Sequence, residues 1–338
     1  MRSKIMFAFV ISFLLVACSE YTKPNESDIS VFNDFLAEDI ISSPLNTINI
    51  ASVYQPQNKL FDAVLAIQRN HWSKAIKELT PYAEKKDPDA LFWLAQISYG
   101  SNPTENIKAG KMMLESAQLG SPYAALMLDP DNIICQRYFS RYCDKKWVGK
   151  AKGIFAIQAE KGDVRAIYYT ERFKEKHDDY IKAIIYAANN KYYYPIVDYS
   201  KDILIDNNST KKMKELAIEL LNYAAVNNFI PAYDLLLKYD ESLDNNEYNL
   251  LLKQSIKLGS NVAWNRRATS SVTDKSLSNI DKYIIAKATY DFNRDKFALS
   301  FIKKLDVSII SHANEEAKKM VKSIPKVIYI DGTHPTVY

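Results

Sequence analysis

Glycine is scarce in this chain, and alternating polar and apolar segments are missing. The 338 residues contain 8 Gly, although the turns between short strands depend on this residue. Both absences argue against a sheet protein and favour helices. A strong net charge is missing as well, because 44 basic residues face 40 acidic ones, which gives +4 at pH 7. Without a dense basic stripe, nucleic acid is not expected as a partner.

Motifs of catalysis and cofactor binding are also missing. The chain has no P-loop, no Gly-x-Ser-x-Gly, no His-Glu-x-x-His and no dinucleotide fingerprint. The four histidines lie far in sequence from Cys135 and Cys143, so we expect neither a metal nor a cofactor. His177-Asp178-Asp179 could suggest a base–carboxylate pair, but it precedes an apolar helix, where Asp ordinarily acts as N-cap and pairs with the helix dipole. We therefore predict that the protein is not an enzyme.

The longest apolar run stands at the N-terminus. Arg2 and Lys4 precede an apolar stretch from Ile5 to Ala17 that only Ser12 interrupts. As a helix this stretch would cover about 20 Å, less than the roughly 30 Å hydrocarbon core of a bilayer. A charged start, a short apolar core and small residues at the end are typical of a secretory signal peptide, here residues 1–17. No later run is long enough to predict a membrane span.

The residues Leu15-Val16-Ala17-Cys18 resemble the lipobox of bacterial lipoproteins. In that family the signal is removed before the cysteine, which is then acylated, so the resemblance implies that Cys18 is lipidated. Ser19 follows instead of the aspartate that retains many such proteins in the inner membrane. The resemblance thus implies a lipid-anchored, periplasm-facing protein, with the outer membrane favoured.

Two further cysteines, Cys135 and Cys143, are expected to form a disulfide in an oxidising compartment. On one straight helix their Cα atoms would be about 12 Å apart, beyond the ~7 Å that a disulfide bridges. If they pair, the segment Gln136–Tyr142 must bend. The pair falls within an insertion between two helices.

One short pattern recurs six times. A helix ends in an apolar residue, usually Ala; Gly, Asn or Lys follows three residues later, and a small residue stands seven after the first. The copies are Ala83/Lys86/Ala90, Ala117/Gly120/Ala124, Ala159/Gly162/Ala166, Ala188/Lys191/Pro195, Ala225/Asn228/Ala232 and Ile256/Gly259/Ala263. In four copies another Ala stands eight residues before the first: Ala75, Ala109, Ala151 and Ala217. Alanines eight apart share a helix face and let a neighbouring helix approach closely, and the Gly or Asn supplies a left-handed C-cap.

This pattern resembles the Sel-one-like repeat, a subfamily of tetratricopeptide-like helical hairpins. The clearest matches are Lys108-Ala109 to Ala124 and Lys150-Ala151 to Ala166. The resemblance implies an all-α, right-handed α-solenoid of helical hairpins, with about six repeats plus C-terminal capping helices. Pro195 and Ile256 replace Ala in two copies and leave the register open by one there.

The predicted organisation has six parts: the signal peptide 1–17, a lipidated polar tether 18–30, a lead-in 31–58, the repeat domain 59–270, C-terminal helices 271–324 and an extended tail 325–338. The segment Lys326–Ile330, in which Val327 to Ile330 are apolar, is followed by Asp331-Gly332 and could form a short strand or an extended cover.

Helical solenoids expose a curved surface that commonly binds another protein. In the resembling family the first helix of each unit lines the concave side, where this sequence places Phe92, Trp93, Tyr168, Tyr169, Tyr199, Tyr233 and Trp264. We expect roughly a third of these rings to be exposed as binding anchors. Tyr192, Tyr193 and Tyr194 fall in a turn between helices, where all three cannot easily be buried, and they are the first expected contact.

The expected partners are periplasmic or envelope proteins, reached from the lipid anchor. Three roles remain open on the resemblance. The first is an immunity protein that neutralises an envelope-targeting toxin such as a secreted phospholipase. The second is a scaffold of an envelope or polysaccharide-export complex. The third is a β-lactam-binding or hydrolysing enzyme, against which the missing nucleophile–base constellation argues.

Overall fold

The computed structural model of the protein describes residues 20–39, 53–302 and 305–335, so the predicted signal peptide and Cys18 lie outside the described residues. Within these ranges the chain is helical and contains no β-strand. The α-helices are α1 (Asp28–Asp39), α2 (Phe61–Gln68), α3 (Trp72–Glu84), α4 (Pro88–Ser98), α5 (Pro103–Gln118), α6 (Pro122–Met127), α7 (Ile133–Tyr138), α8 (Lys146–Glu160), α9 (Val164–Arg172), α10 (His177–Asn189), α11 (Tyr194–Ile205), α12 (Lys211–Val226), α13 (Ile230–Tyr239), α14 (Asn245–Leu258), α15 (Asn261–Thr273), α16 (Asn279–Asn293), α17 (Phe297–Ser300) and α18 (Val307–Lys322). None of these helices is both long and apolar enough to cross a membrane.

The six predicted turns all exist, and each has its middle residue in the left-handed region. Their φ angles are 60° at Lys86, 103° at Gly120, 84° at Gly162, 65° at Lys191, 61° at Asn228 and 98° at Gly259. Because Lys191 and Gly259 behave like the other four, the register at Pro195 and Ile256 is the one that the pattern predicts. From α2 to α16 each helix packs on the next one along the chain, except at the insertion that contains α7, where α6 packs directly on α8. The chain is an α-solenoid.

The repeated alanines belong to the apolar core of the solenoid. Ala75, Ala109, Ala151 and Ala217 are all fully buried. The small residues that open the following helices are buried as well, and in four units their amides donate to a side-chain N-cap: Asp87, Ser121, Asp163 and Ser260. Each cap satisfies a helix N–H that would otherwise lack a partner, at a gain of about 1 kcal/mol.

The cysteines form the expected disulfide. Cys135 ends up 6.0 Å from Cys143, measured between Cα atoms. Helix α7 ends at Tyr138, and a 3-10 turn at Ser140–Tyr142 reverses the chain before the second cysteine. This is the bend that the spacing requires. The insertion packs on α5, where the ring of Tyr142 lies so close to Gly110 that an added Cβ would be 2.7 Å from it.

Replacing both cysteines, Cys135→Ala and Cys143→Ala, is expected to lower the free energy of unfolding by about 2–3 kcal/mol, because the closed loop no longer restricts the unfolded chain. Urea unfolding of the oxidised proteins measures the loss. The wild type treated with reductant serves as the matched control and should show the same decrease, whereas the reductant should leave the double variant unchanged. Equal stability of oxidised and reduced wild type would contradict the prediction.

The two ends of the hairpin stack touch each other. The turn between α2 and α3 meets the end of α16, where Asn70 Nδ2 donates to the Asn293 carbonyl at 3.3 Å and a ring nitrogen of His71 lies 3.0 Å from the Phe292 carbonyl. The guanidinium of Arg69 also lies 4.6 Å from the centroid of the Phe292 ring. The solenoid therefore closes on itself rather than presenting an open ribbon.

The segment predicted as a polar tether is structured in its described part, so that prediction is wrong there. Residues 20–22 form a 3-10 turn, and α1 begins at Asp28, before the predicted boundary at residue 30. The Asp28 carboxylate accepts from the Tyr199 hydroxyl at 2.7 Å and lies 2.7 Å from His177 Nε2. Burial alone would lower the pKa of His177, but the hydrogen bonds to Asp28 and to the Tyr21 carbonyl, together with the charge of Asp28, outweigh it and raise the pKa.

The predicted N-cap at His177-Asp178-Asp179 is also incorrect. Helix α10 starts at His177 itself, Lys176 is the capping residue and makes no side-chain cap, and both aspartates lie in the first turn. They keep the favourable position near the positive end of the helix dipole. His177 does pair with a carboxylate, but that carboxylate is Asp28, from a distant part of the chain.

Candidate binding groove

One face of the solenoid holds the C-terminal residues of the chain. We call residues 325–335 the tail, and we call the surface of α2, α6, α9, α11 and α15 that contacts it the groove. The tail is extended and the described residues contain no strand, so the alternative of an extended cover is confirmed. Residues Val327 to Asp331 are buried. The predicted concave surface is thus covered by the protein's own chain.

Side chains of the groove hold the main chain of the tail. The side-chain amide of Gln68 forms two hydrogen bonds with the tail: Nε2 donates to the Val327 carbonyl at 2.9 Å, and Oε1 accepts from the Tyr329 amide at 2.8 Å. At either side, Arg69 Nη2 donates to the Pro325 carbonyl at 2.9 Å, and the Tyr194 hydroxyl donates to the Tyr329 carbonyl at 2.6 Å. Since these bonds involve only peptide groups of the tail, they fix its path whatever its side chains are.

A buried ion pair fixes the position of the tail along the groove. Arg165 Nε donates to Asp331 Oδ2 at 2.8 Å, and the two side chains are 4% and 2% exposed. The guanidinium also lies over the Tyr192 ring, 4.9 Å from its centroid. Burial would raise the pKa of Asp331, but the charge of Arg165 and the contacts with His334 and Thr333 together outweigh it and hold the pKa well below its usual range. The pair is therefore ionised at neutral pH.

The end of the tail forms a compact turn. Asp331 Oδ1 accepts from the Thr333 amide at 2.8 Å and from the His334 amide at 2.9 Å, the arrangement of an Asx turn. Gly332 is required here because a Cβ at this position would lie 2.3 Å from the Tyr123 ring. The turn allows one carboxylate to shape the backbone with one oxygen and to bind Arg165 with the other.

His334 is the titratable group that closes this turn. Its Nε2 lies 2.7 Å from Asp198 Oδ2, and its ring stacks on Tyr194 with centroids 3.7 Å apart. Burial would lower the pKa of His334, but the charges of Asp198 and of Asp331 together raise it to about 9. The imidazole is therefore a cation at neutral pH, held between two carboxylates.

This histidine makes the stability of the protein depend on pH. Because the folded pKa of His334 exceeds its unfolded value, its contribution is complete below about pH 6.5 and is lost as the pH rises towards about 9. We expect Tm to fall across this window by a few °C more in the wild type than in His334→Gln. Scanning calorimetry at pH 6 and pH 9 measures the difference. Identical pH profiles of the two proteins would contradict the assignment.

The aromatic residues predicted to bind a partner are all buried, so the expectation that some of their rings are exposed is wrong. Each is 7% exposed or less: Phe92, Trp93, Tyr168, Tyr169, Tyr192, Tyr193, Tyr194, Tyr199, Tyr233 and Trp264. Tyr192 and Tyr194 contact the tail, and Tyr193 packs on Phe229 and Tyr223.

The remaining predicted positions fall into separate clusters. Tyr199 packs on Phe32 of α1, with ring centroids 4.8 Å apart. Trp93 donates its indole N–H to the Tyr54 hydroxyl at 2.7 Å. Trp264 lies in a C-terminal cluster, stacked on Phe292 at 5.1 Å. The chain's own flanking segments thus occupy the positions that the prediction gave to a partner.

The polar residues of the groove were missed by the sequence prediction. Gln68, Arg165 and Asp198 belong to helices in which the sequence prediction considered only the apolar and aromatic residues. One signal was available, because Arg165 directly precedes the small residue Ala166 of its unit and is the one basic residue at this position of the pattern. The other units have Asp89, Tyr123, Tyr194, Pro231 and Val262 there. A charge at a position that the repeat pattern places near a helix crossing needs a counter-charge.

In the described part of the chain, no group of three or more His, Cys, Asp or Glu side chains is placed to hold a metal ion. The charged groups of the groove are instead bound to one another.

Comparison with known proteins gives one structural match. No protein-family model matches the chain, and no curated protein matches it. Among solved structures, the chain is similar to a protective antigen present in uropathogenic Escherichia coli strains, which displays an SLR fold. The match has 13% identity and a TM-score of 0.40, and it covers 78% of this chain and 59% of that one. The assignment as an α-solenoid rests on the hairpins of this chain itself.

Proposed function

We propose that this protein is a non-catalytic, lipid-anchored repeat protein of the bacterial envelope that faces the periplasm and holds a partner protein. The observation that carries the proposal is the groove, which already holds an extended polypeptide by side-chain contacts to its main chain. Stacked hairpins with such a surface are typical of proteins that bind other proteins. The lipobox-like residues before Cys18 support the anchor.

The anchor is tested by replacing the acylated residue. Cys18→Ser is expected to abolish incorporation of labelled palmitate and to move the protein from the membrane fraction to the soluble periplasmic fraction. The matched control is Cys143→Ser, which removes a cysteine of the disulfide and should leave acylation unchanged. Undiminished labelling of the Cys18 variant would refute lipid anchoring. It would not bear on partner binding, which is tested separately.

Partner binding is tested on the acylated full chain, purified from detergent-solubilised envelope and analysed by mass spectrometry. We expect one envelope protein to be enriched over a tagged, unrelated lipoprotein and to retrieve this protein when the tag is moved to it. A toxin as the partner would assign the immunity role, and a component of an envelope or polysaccharide-export assembly the scaffold role. Failure of the reciprocal retrieval would refute the proposal.

A further inference from the structure

The groove binds the tail in the way that a peptide-binding site holds an extended peptide. Five hydrogen bonds join main-chain groups of the tail to the side chains of Gln68, Arg69 and Tyr194. A strand of a sheet would instead pair with a neighbouring backbone. Recognition of an extended main chain by side chains accepts any sequence that fits the side-chain sites.

The groove also selects a sequence. Arg165 is nearly fully buried and bonds the Asp331 carboxylate at 2.8 Å, so an acid at the position of Asp331 supplies a counter-charge to a buried cation. The Tyr123 ring leaves room only for glycine at the next position. Before the acid, the side chains of Ile328, Tyr329 and Ile330 all belong to the apolar core. The site therefore accepts three apolar residues followed by Asp-Gly.

We propose that the groove is a binding site for an extended peptide with three apolar residues followed by an acid and glycine, and that residues 325–335 occupy this site until such a segment of the partner replaces them. The inference rests on the proposed partner binding and specifies its mode. A partner segment of this chemistry makes the same hydrogen bonds and the same ion pair with Arg165 as the tail does. Exchange then leaves no buried charge unpaired.

The test adds a fluorescent peptide of residues 325–335 to the full chain and measures its binding by anisotropy. In the variant Asp331→Arg the groove is unchanged, but a second cation faces Arg165 and expels the tail. We expect this variant to bind the peptide at least tenfold more tightly than the wild type does. In the double variant Arg165→Asp with Asp331→Arg the ion pair is restored in reverse and the tail binds again, so the natural peptide, whose acid would face the new carboxylate at position 165, should bind no more tightly than it does to the wild type.

The peptide itself supplies the control for specificity. A peptide carrying Asp331→Lys should bind the Asp331→Arg protein at least tenfold more weakly than the natural peptide. Far-UV circular dichroism and cooperative unfolding establish that each variant is folded. A folded Asp331→Arg protein that does not bind the natural peptide would overturn the inference, and a partner still retrieved from the envelope would then be bound elsewhere on the solenoid.

A second measurement applies to the wild type and does not depend on any variant folding. The amides of Tyr329 and Ile330, which donate to Gln68, report on release of the tail through hydrogen exchange. If the tail leaves as a unit, they should exchange at least tenfold faster than the helical amides of α11 that lie beneath it. Equal protection of the two sets would mean that the tail leaves only on global unfolding, and it would overturn the inference.

Discussion

Arg165→Met is expected to lower the free energy of unfolding by about 3–5 kcal/mol, the typical cost of leaving a buried charge without its partner. Asp331 would keep its carboxylate in the groove, where His334, at 3.5 Å, is the remaining cation paired with it among the residues that the structure describes. The neighbouring hydroxyls of Tyr123 and Tyr192 offer hydrogen bonds to this pair but no charge. Chemical unfolding at pH 7 measures the loss.

The matched control removes the stranded charge as well. In Arg165→Met with Asp331→Asn, the amide oxygen can still accept the hydrogen bonds of the Asx turn, so most of the lost stability should return. Lowering the pH should also reduce the effect of Arg165→Met alone, since the pKa of Asp331 is no longer held down by the guanidinium. A single variant as stable as the wild type would show that the ion pair does not support the fold.

Trp93→Ala is expected to lower the free energy of unfolding by about 3–5 kcal/mol, the usual cost of truncating a buried tryptophan. The Trp93 side chain is 0% exposed and packs on Phe92, with ring centroids 5.3 Å apart. Its loss leaves a cavity and removes the hydrogen bond to the Tyr54 hydroxyl, which is itself buried. Urea unfolding followed by circular dichroism measures the change.

The same substitution at an exposed tryptophan provides the control. Trp72 is 47% exposed at the start of α3, and Trp72→Ala should cost much less than the buried truncation. This pair also separates the two roles considered for Trp93. If Trp93 were a contact for a partner, its truncation would weaken partner retrieval and leave stability unchanged, which is the opposite of the expected result.

An occupied groove changes how the predicted function would operate. Three of the aromatic side chains that the sequence offers as anchors already contact a flanking segment: Tyr199 packs on α1, Trp93 on Tyr54 and Tyr194 on the tail. A partner can use them only after one of these segments has moved. The contacts of the tail depend on charges, through Arg165 and His334, so the release that we propose would respond to pH.

Local features could be predicted because their causes lie within a few residues. The turn at Gly120 follows from a helix end, a left-handed residue and a small residue at fixed spacing, and the structure has the same sequence of events in all six units. The bend between Cys135 and Cys143 follows because a straight helix would hold two residues eight positions apart too far from each other for a disulfide. Each expectation needed only the geometry of one or two helices.

The failed expectations concern contacts between distant parts of the chain. The burial of Tyr192 and Tyr194 depends on the tail, more than a hundred residues away, and no local pattern shows that the tail reaches them. The segment 20–27 has a polar composition typical of a tether, yet Tyr21 and Asp28 bind α10 through His177. Composition shows how polar a segment is, but it does not show which residues of the folded protein the segment contacts.

The sequence by itself determined the hairpins, their order, their turns and the small residues between them, because helix spacing and capping act over three to eight residues. Only the tertiary structure decided that the two ends of the stack meet, that the tail fills the groove and that Arg165 finds its carboxylate in Asp331. Those contacts form because closing the stack buries polar groups that come from distant parts of the chain. Once water is excluded, these groups must form hydrogen bonds or ion pairs with one another.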